Sequence, residues 1–143
     1  MKRIGLAVLT VVAVAGTGMF FKNFVNPYET VYKIADGDTF ILENNKQAIR
    51  LFGIDAPEIN NCYGPESYSR LSQLLKRKQV QLKEPLVDHF GRIVALVYVD
   101  GQLINEIMIK EGYAAYQGEP GSEKERLRAA HDLAKSQKIG IYS

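Results

Sequence analysis

Cysteine and histidine are nearly missing from this chain: Cys62 is the only cysteine, and His89 and His131 are the only histidines among 143 residues. A single thiol excludes a disulfide within the chain as given, leaving burial, pairing between molecules, or a partner in a natural chain that continues past Ser143 as its fates. One cysteine and two isolated histidines do not make a zinc ligand set either. Net charge is as scarce. Lys2 and Arg3 are two of the 18 basic residues, and none of the 16 acidic residues precedes residue 22, so the remainder carries 16 of each sign. Bulk electrostatics therefore exert no strong pull on a polyanion, and any attraction must come from locally arranged Lys and Arg. Internal repeats and low-complexity tracts are absent as well, which leaves ordinary globular composition, 46% hydrophobic and 24% charged, for one compact core.

The N-terminus departs from that composition. Met1-Lys2-Arg3 is a short basic start, and Ile4 to Phe21 is apolar or small until Lys22. This pattern predicts a targeting segment over residues 1–22, either a membrane anchor or a signal peptide. Ala13-Val14-Ala15 suits signal-peptidase cleavage, whereas the apolar run through Met19, Phe20 and Phe21 favours an uncleaved anchor. Eighteen helical residues span about 27 Å, marginally enough for a bilayer core of about 30 Å. In either case Lys2 and Arg3 stay cytoplasmic and the rest faces outward. A tether over 23–28 then leads to a domain over 29–143.

Within that domain, Glu29 to Ala35 has strand character, Asp36-Gly37 signals a turn, and Thr39 to Glu43 is the returning strand. Asn44-Asn45 predicts a second turn through the tolerance of Asn for positive φ, and Lys46 to Ile54 is the third strand, with Gly53 at a bend. Pro57 cannot continue a ladder, so Asp55 to Glu58 is expected to be a loop. Tyr68, Leu71, Leu74 and Leu75 recur at helical spacing within Pro65 to Lys78, with Lys76-Arg77-Lys78 set to complement the dipole at its end. Gln79 to Lys83 is a strand, Glu84 to Gly91 a loop, and Ile93 to Val99 a strongly β-like run. Leu103, Ile104, Ile107 and Met108 define a short helix that Gly112 caps. After the Gly118 to Gly121 loop, Ser122 and Glu125 have capping-box spacing for a last helix. The class is α+β, mainly β. Five strands with about three helices suit a Greek-key barrel of the OB type, although periodicity alone equally allows another α+β arrangement.

The chemistry concentrates in Ile49-Arg50-Leu51-Phe52-Gly53-Ile54-Asp55-Ala56-Pro57-Glu58, where an apolar strand carries an arginine inside it and two carboxylates follow. A charge on a buried strand is costly unless paired or used, and this spacing suits a grip on a phosphate and a metal together. In Asp36-Gly37-Asp38-Thr39 the bland reading is a polar turn; the functional one makes Asp38 a metal ligand beside Asp55. Two carboxylates, a backbone carbonyl and waters are an oxygen set that Ca²⁺ accepts. Glu58 is either a solvated carboxylate or the group that aligns or deprotonates an attacking water. Arg50 and Arg92 can clamp a phosphodiester with bidentate hydrogen bonds and stabilise its transition state, a role lysine fills less well. His89 is read as a bystander.

These segments, with Tyr63-Gly-Pro-Glu66, Asp88-His-Phe-Gly-Arg92, Asn105-Glu106 and Ile139-Gly-Ile-Tyr142-Ser143, resemble in order and spacing the staphylococcal nuclease (thermonuclease) family, over roughly Tyr32 to Ser143. The resemblance implies an OB-fold nuclease that uses Ca²⁺ to hydrolyse DNA and RNA to 3′-phosphate ends. Asp38 and Asp55 match its calcium carboxylates and Ala56 the position that supplies a backbone carbonyl, where a threonine is common. Glu58 matches the proposed general base, Arg50 and Arg92 the phosphate-binding arginines, and Asp36 an acidic position close to the metal. The nucleotide-stacking tyrosines of the family do not align securely with Tyr113 and Tyr116, so for these, stacking on substrate and packing on the last helix both stay open.

The expectation is thus an exported or membrane-tethered, monomeric, Ca²⁺-dependent and sequence-nonspecific nuclease for single-stranded or locally open DNA and RNA. The alternatives are a non-catalytic OB-fold module that binds nucleic acid or protein at the cell surface, and a phosphodiesterase for small nucleotides.

Overall fold

The computed structural model describes residues 27–118 and 121–143. The expected anchor or signal over residues 1–22 lies outside them, as does most of the tether. Among the described residues no helix is long and apolar enough to cross a membrane.

The described residues open with an antiparallel meander of β1 (Tyr28–Ile34), β2 (Thr39–Leu42) and β3 (Ala48–Leu51). Alternation sets its faces: Phe40 and Leu42 on β2, and Ile49 and Leu51 on β3, are buried, while the residues between them are half-buried. The third strand is shorter than the sequence suggests. At Phe52-Gly53 the backbone turns through positive φ at Gly53 (73°), and Ile54–Asp55 continues as a separate two-residue strand, β4. Asp55 thereby stays in a ladder, and the loop begins at Ala56. In the β2–β3 turn it is Lys46, not Asn44 or Asn45, that takes positive φ (55°), because the Asn45 side chain instead accepts the Gln47 N–H.

Helix α1 (Gly64–Leu75) ends three residues before the expected boundary, so Lys76, Arg77 and Lys78 lie beyond its last turn. Their backbone is bonded to β1 instead: the Arg77 N–H donates to the Val31 carbonyl and the Val31 N–H to the Lys78 carbonyl. Strand β5 (Gln79–Val87) runs well into the expected loop. A register slip between Lys83 and Leu86 absorbs Glu84 and Pro85, after which Leu86 and Val87 resume pairing; proline lacks the N–H a ladder needs and fits at such a bulge.

Strand β6 (Ile93–Val99) pairs antiparallel with β5 and parallel with β3, while β5 pairs with β1. The path β3-β2-β1-β5-β6 therefore returns to β3. Buried consecutively from Val94 to Val97, β6 is covered on both faces, one of them by a helix. After β7 (Gln102–Leu103), that helix, α2 (Ile104–Lys110), stops at Gly112 in positive φ (74°), as the cap signal predicts. Strand β8 (Ala115–Tyr116) pairs with β4 across 60 residues of sequence, a contact that local pattern does not reveal. The last helix, α3 (Lys124–Ser136), has no side-chain cap. The expected capping box is not formed, since the Ser122 N–H is taken by the Glu84 carboxylate. The result is an α+β fold, mainly sheet, with three helices; Phe40, Leu51, Leu71, Leu96, Ile104 and Met108 fill its centre.

Candidate active site

Asp38 sits where the β1–β2 hairpin turns into β2, its side chain 3% exposed. Its own N–H donates to Asp36 Oδ1 at 3.0 Å, and its carbonyl accepts the Leu51 N–H. The carboxylate is fully engaged. Oδ1 accepts from Arg50 Nη1 at 2.5 Å and from Thr39 Oγ1 at 2.9 Å, and Oδ2 accepts the Ala56 N–H at 2.9 Å. Burial pushes the carboxyl up to about 6, against the pull of the Ala56 N–H and the Arg50 charge.

Arg50 is the hub. It lies on β3 between Thr39 of β2 and Val94 of β6. Its Nη2 donates to Asp55 Oδ1 at 2.7 Å and to the Ile54 carbonyl at 3.3 Å, so a single guanidinium spans both carboxylates. Burial disfavours its charge, but the Asp38 and Asp55 carboxylates outweigh that and hold its pKa above the ordinary arginine value. The Asp55 side chain is 52% exposed, which opens this pair to solvent on one side. The Gly53 corner aims it there, and two backbone bonds fix the corner: Phe52 N–H to the Ala95 carbonyl of β6 and Gln117 N–H, just past β8, to the Gly53 carbonyl.

Arg50 also lines a cavity of about 250 Å³ whose other side is formed by Asp88, His89, Phe90 and Arg92. Asp88 organises that turn, with Oδ1 accepting the N–H groups of Phe90 and Arg92 and Oδ2 accepting from Arg92 Nε at 2.8 Å. Two guanidiniums therefore border one concavity, at the opening of which Phe90 leaves 70% of its surface in solvent. Sequence reasoning missed Phe90. A large apolar residue in a polar glycine turn was the available signal, since that turn chemistry does not call for one.

Not every expected residue joins this group. Glu58 is exposed beyond Pro57 and does not line the cavity; its carbonyl accepts the Asn61 N–H, and its carboxylate makes no hydrogen bond among the described residues. Tyr113 lines two grooves beside Arg70, away from the cavity. Tyr116 lies on β8 with its hydroxyl buried and unpaired, its ring centre 6.2 Å from that of His131. Cys62 is exposed and free. Asn105, quoted above without a role, is fully buried and ties the Phe52 carbonyl to β6.

As donors for a metal, Asp38 and Asp55 are hard oxygen ligands that already share one cation, the Arg50 guanidinium. The spot is thus built for positive charge, and the chemistry fits Ca²⁺ if a carbonyl and waters complete the shell. Among the described residues no cluster of three or more His, Cys, Asp or Glu side chains is available, so carboxylates alone would not complete it.

Two guanidiniums, of Arg50 and Arg92, thus line one cavity beside two carboxylates that share one of them. The chain belongs to the family described as Staphylococcal nuclease homologue, whose model matches residues 48–143. It is 35% identical to a micrococcal nuclease of Shigella flexneri over 79% of this chain and 72% of that protein. It is also 35% identical to the endonuclease YncB of Bacillus subtilis, over 80% and 61%, and 35% identical to an uncharacterized endonuclease of Haemophilus influenzae, over 79% and 65%. Membership supports a nuclease function at the level of the family.

Proposed function

We propose that this protein is an exported or membrane-tethered, Ca²⁺-dependent and sequence-nonspecific nuclease, a monomer acting on single-stranded or locally open DNA and RNA. The observation that carries the reading is the shared environment of Arg50, which bridges Asp38 and Asp55 and faces Arg92 across one cavity. The closed strand path is read as the OB-type Greek-key barrel that presents this site at one end.

In this mechanism the Arg50 and Arg92 forks hold non-bridging phosphate oxygens and oppose the charge that grows as phosphorus becomes five-coordinate. Asp38, Asp55 and the Ala56 carbonyl are the groups that would hold Ca²⁺, which when bound supplies Lewis-acid stabilisation of the phosphate. Glu58, on an exposed loop with a free carboxylate, aligns or deprotonates the water. The water oxygen bonds to phosphorus, the bond to the 5′ oxygen breaks, and that oxygen leaves with a proton, so the phosphate stays on the 3′ side. Asp36 steadies Asp38 through its backbone N–H. Phe90 offers a stacking surface for a base at the cavity opening, and Tyr113 and Tyr116 serve further along the strand.

The position of Glu58 outside the cavity is the one observation that favours a non-catalytic binding module. Cleavage kinetics of Glu58→Gln and Arg92→Ala, with mapping of product ends, separates the two. The nuclease reading expects 3′-phosphate ends and kcat losses of roughly 10² or more in each variant. Unchanged rates in both variants would refute the assigned roles, and intact strands bound by the folded wild type would establish the binding module.

A further inference from the structure

The end of the β1–β2 hairpin away from Asp38 carries positive charge that has no ion-pair partner among the described residues. Lys76, Arg77 and Lys78 are exposed and laid against the middle of β1 by the bonds of Arg77 and Lys78 to Val31. From the β2–β3 turn, Lys46 places its Nζ 3.8 Å from the centre of the Tyr32 ring. Tyr32 falls at the register slip between Val31 and Lys33, which turns it outward, 50% exposed. Tyr32 and Arg77 border a shared cavity of about 270 Å³ in which Glu43 is the lining carboxylate. A second acid nearby, Glu29, is engaged by Asn44. By contrast Arg50, Arg70, Arg92 and Arg126 are all ion-paired. In a domain with no net charge, Lys46 against the Tyr32 ring, Arg77 beside it, and Lys76 and Lys78 flanking Arg77 in sequence, none in an ion pair among the described residues, are a local field without any evident structural use.

We propose that this patch is a second binding site, an exosite for single-stranded polynucleotide. Phosphates would lie against Arg77, Lys46 and the adjacent lysines, and an unpaired base against the open face of Tyr32; cations tracking a backbone beside an aromatic platform are how unpaired strands are held. Val31 pairs with Leu42, at the other end of β2 from Asp38, which puts the patch roughly 13 Å along the strand from the catalytic turn. A long strand can reach both places, whereas a single-nucleoside ester can reach only one. The inference deepens the nuclease reading and rests on it for the class of substrate.

The test uses the full chain and the variants Tyr32→Ser/Arg77→Gln and Lys46→Gln/Lys78→Gln, with thermal melts to confirm folding. In chelator, anisotropy of a labelled strand of about 30 nucleotides should show affinity at least about fivefold lower in each variant, with a shallower dependence on salt. With calcium, KM for the long strand should rise by a similar factor, while kinetics on a chromogenic single-nucleoside phosphodiester stay unchanged. Wild-type binding that neither variant weakens would overturn the exosite. So would loss of binding to anionic phosphatidylglycerol vesicles with none to strands, which would assign the patch to a membrane surface. Were the wild type to cut nothing, the nuclease reading would fail while anisotropy still decided the exosite.

Discussion

Replacing Asn105 with alanine is expected to destabilise the fold and loosen the site together. The Asn105 side chain is fully buried; Oδ1 accepts the Val97 N–H at 2.9 Å, and Nδ2 donates to the Phe52 carbonyl at 2.8 Å and the Ala95 carbonyl at 3.3 Å. Truncation orphans the Val97 N–H and the Phe52 carbonyl, whereas the Ala95 carbonyl keeps the Phe52 N–H. A buried polar group left without a partner costs about 1–3 kcal/mol, so two of them predict a loss of about 2–6 kcal/mol. That is a large part of a typical domain stability of about 5–15 kcal/mol. Because the Phe52 carbonyl precedes the Gly53 corner that aims Asp55, calcium affinity should fall as well. Urea unfolding followed by far-UV circular dichroism and tyrosine emission is suitable, since the chain has eight tyrosines and no tryptophan. A loss below about 1 kcal/mol would refute the bracing role and the hydrogen-bond accounting behind it.

Other perturbations should report on neighbouring parts. In Gly64→Ala the new Cβ would sit 1.9 Å from the Glu58 carbonyl oxygen, so the loop carrying Glu58 must move; a stability loss of about 1–3 kcal/mol with a larger fall in kcat is expected in urea and rate measurements. Gly53→Ala must hold φ near 73°, which predicts a cost of about 1–2 kcal/mol by thermal unfolding and weaker calcium binding through Asp55. Burial raises the folded pKa of Asp38 from 3.8 to about 6, so its stabilising contribution is complete below about 4 and is lost as pH rises through 6. In chelator, the stability of Asp38→Asn relative to the wild type should therefore improve from about pH 4 to about pH 6, by up to about 3 kcal/mol, and level off above that; a constant difference between about pH 4 and 6, read from urea midpoints, would contradict the shift.

Much of the sheet was legible because its signals are local. Alternation at Phe40, Leu42, Ile49 and Leu51 marks two strands, and Gly112 marks the end of α2. What the sequence hid depends on partners distant in the chain. The β4–β8 ladder joins Asp55 to Ala115, and no local pattern announces a two-residue strand. Pro85 reads as a strand breaker, yet the bulge at Lys83/Leu86 accommodates it. Ser122 and Glu125 have the spacing of a cap, but the Glu84 carboxylate competes for the Ser122 N–H. At the site, Asp38, Arg50, Asp55 and Arg92 were all nameable from their order and type. That one guanidinium bridges both carboxylates was not, because it depends on β2 and β3 placing Thr39 opposite Arg50.

The central claim is that Asp38 and Asp55 serve a calcium-dependent cleavage in which Arg50 and Arg92 hold the phosphate. Its most direct test is incubation of the full chain with end-labelled single-stranded DNA and RNA across a calcium titration, with a chelator control. The account predicts cutting of both polymers that saturates with calcium, stops in chelator, and is lost in Asp55→Asn while the protein stays folded. Undiminished cutting in chelator, or in folded Asp55→Asn, would contradict it.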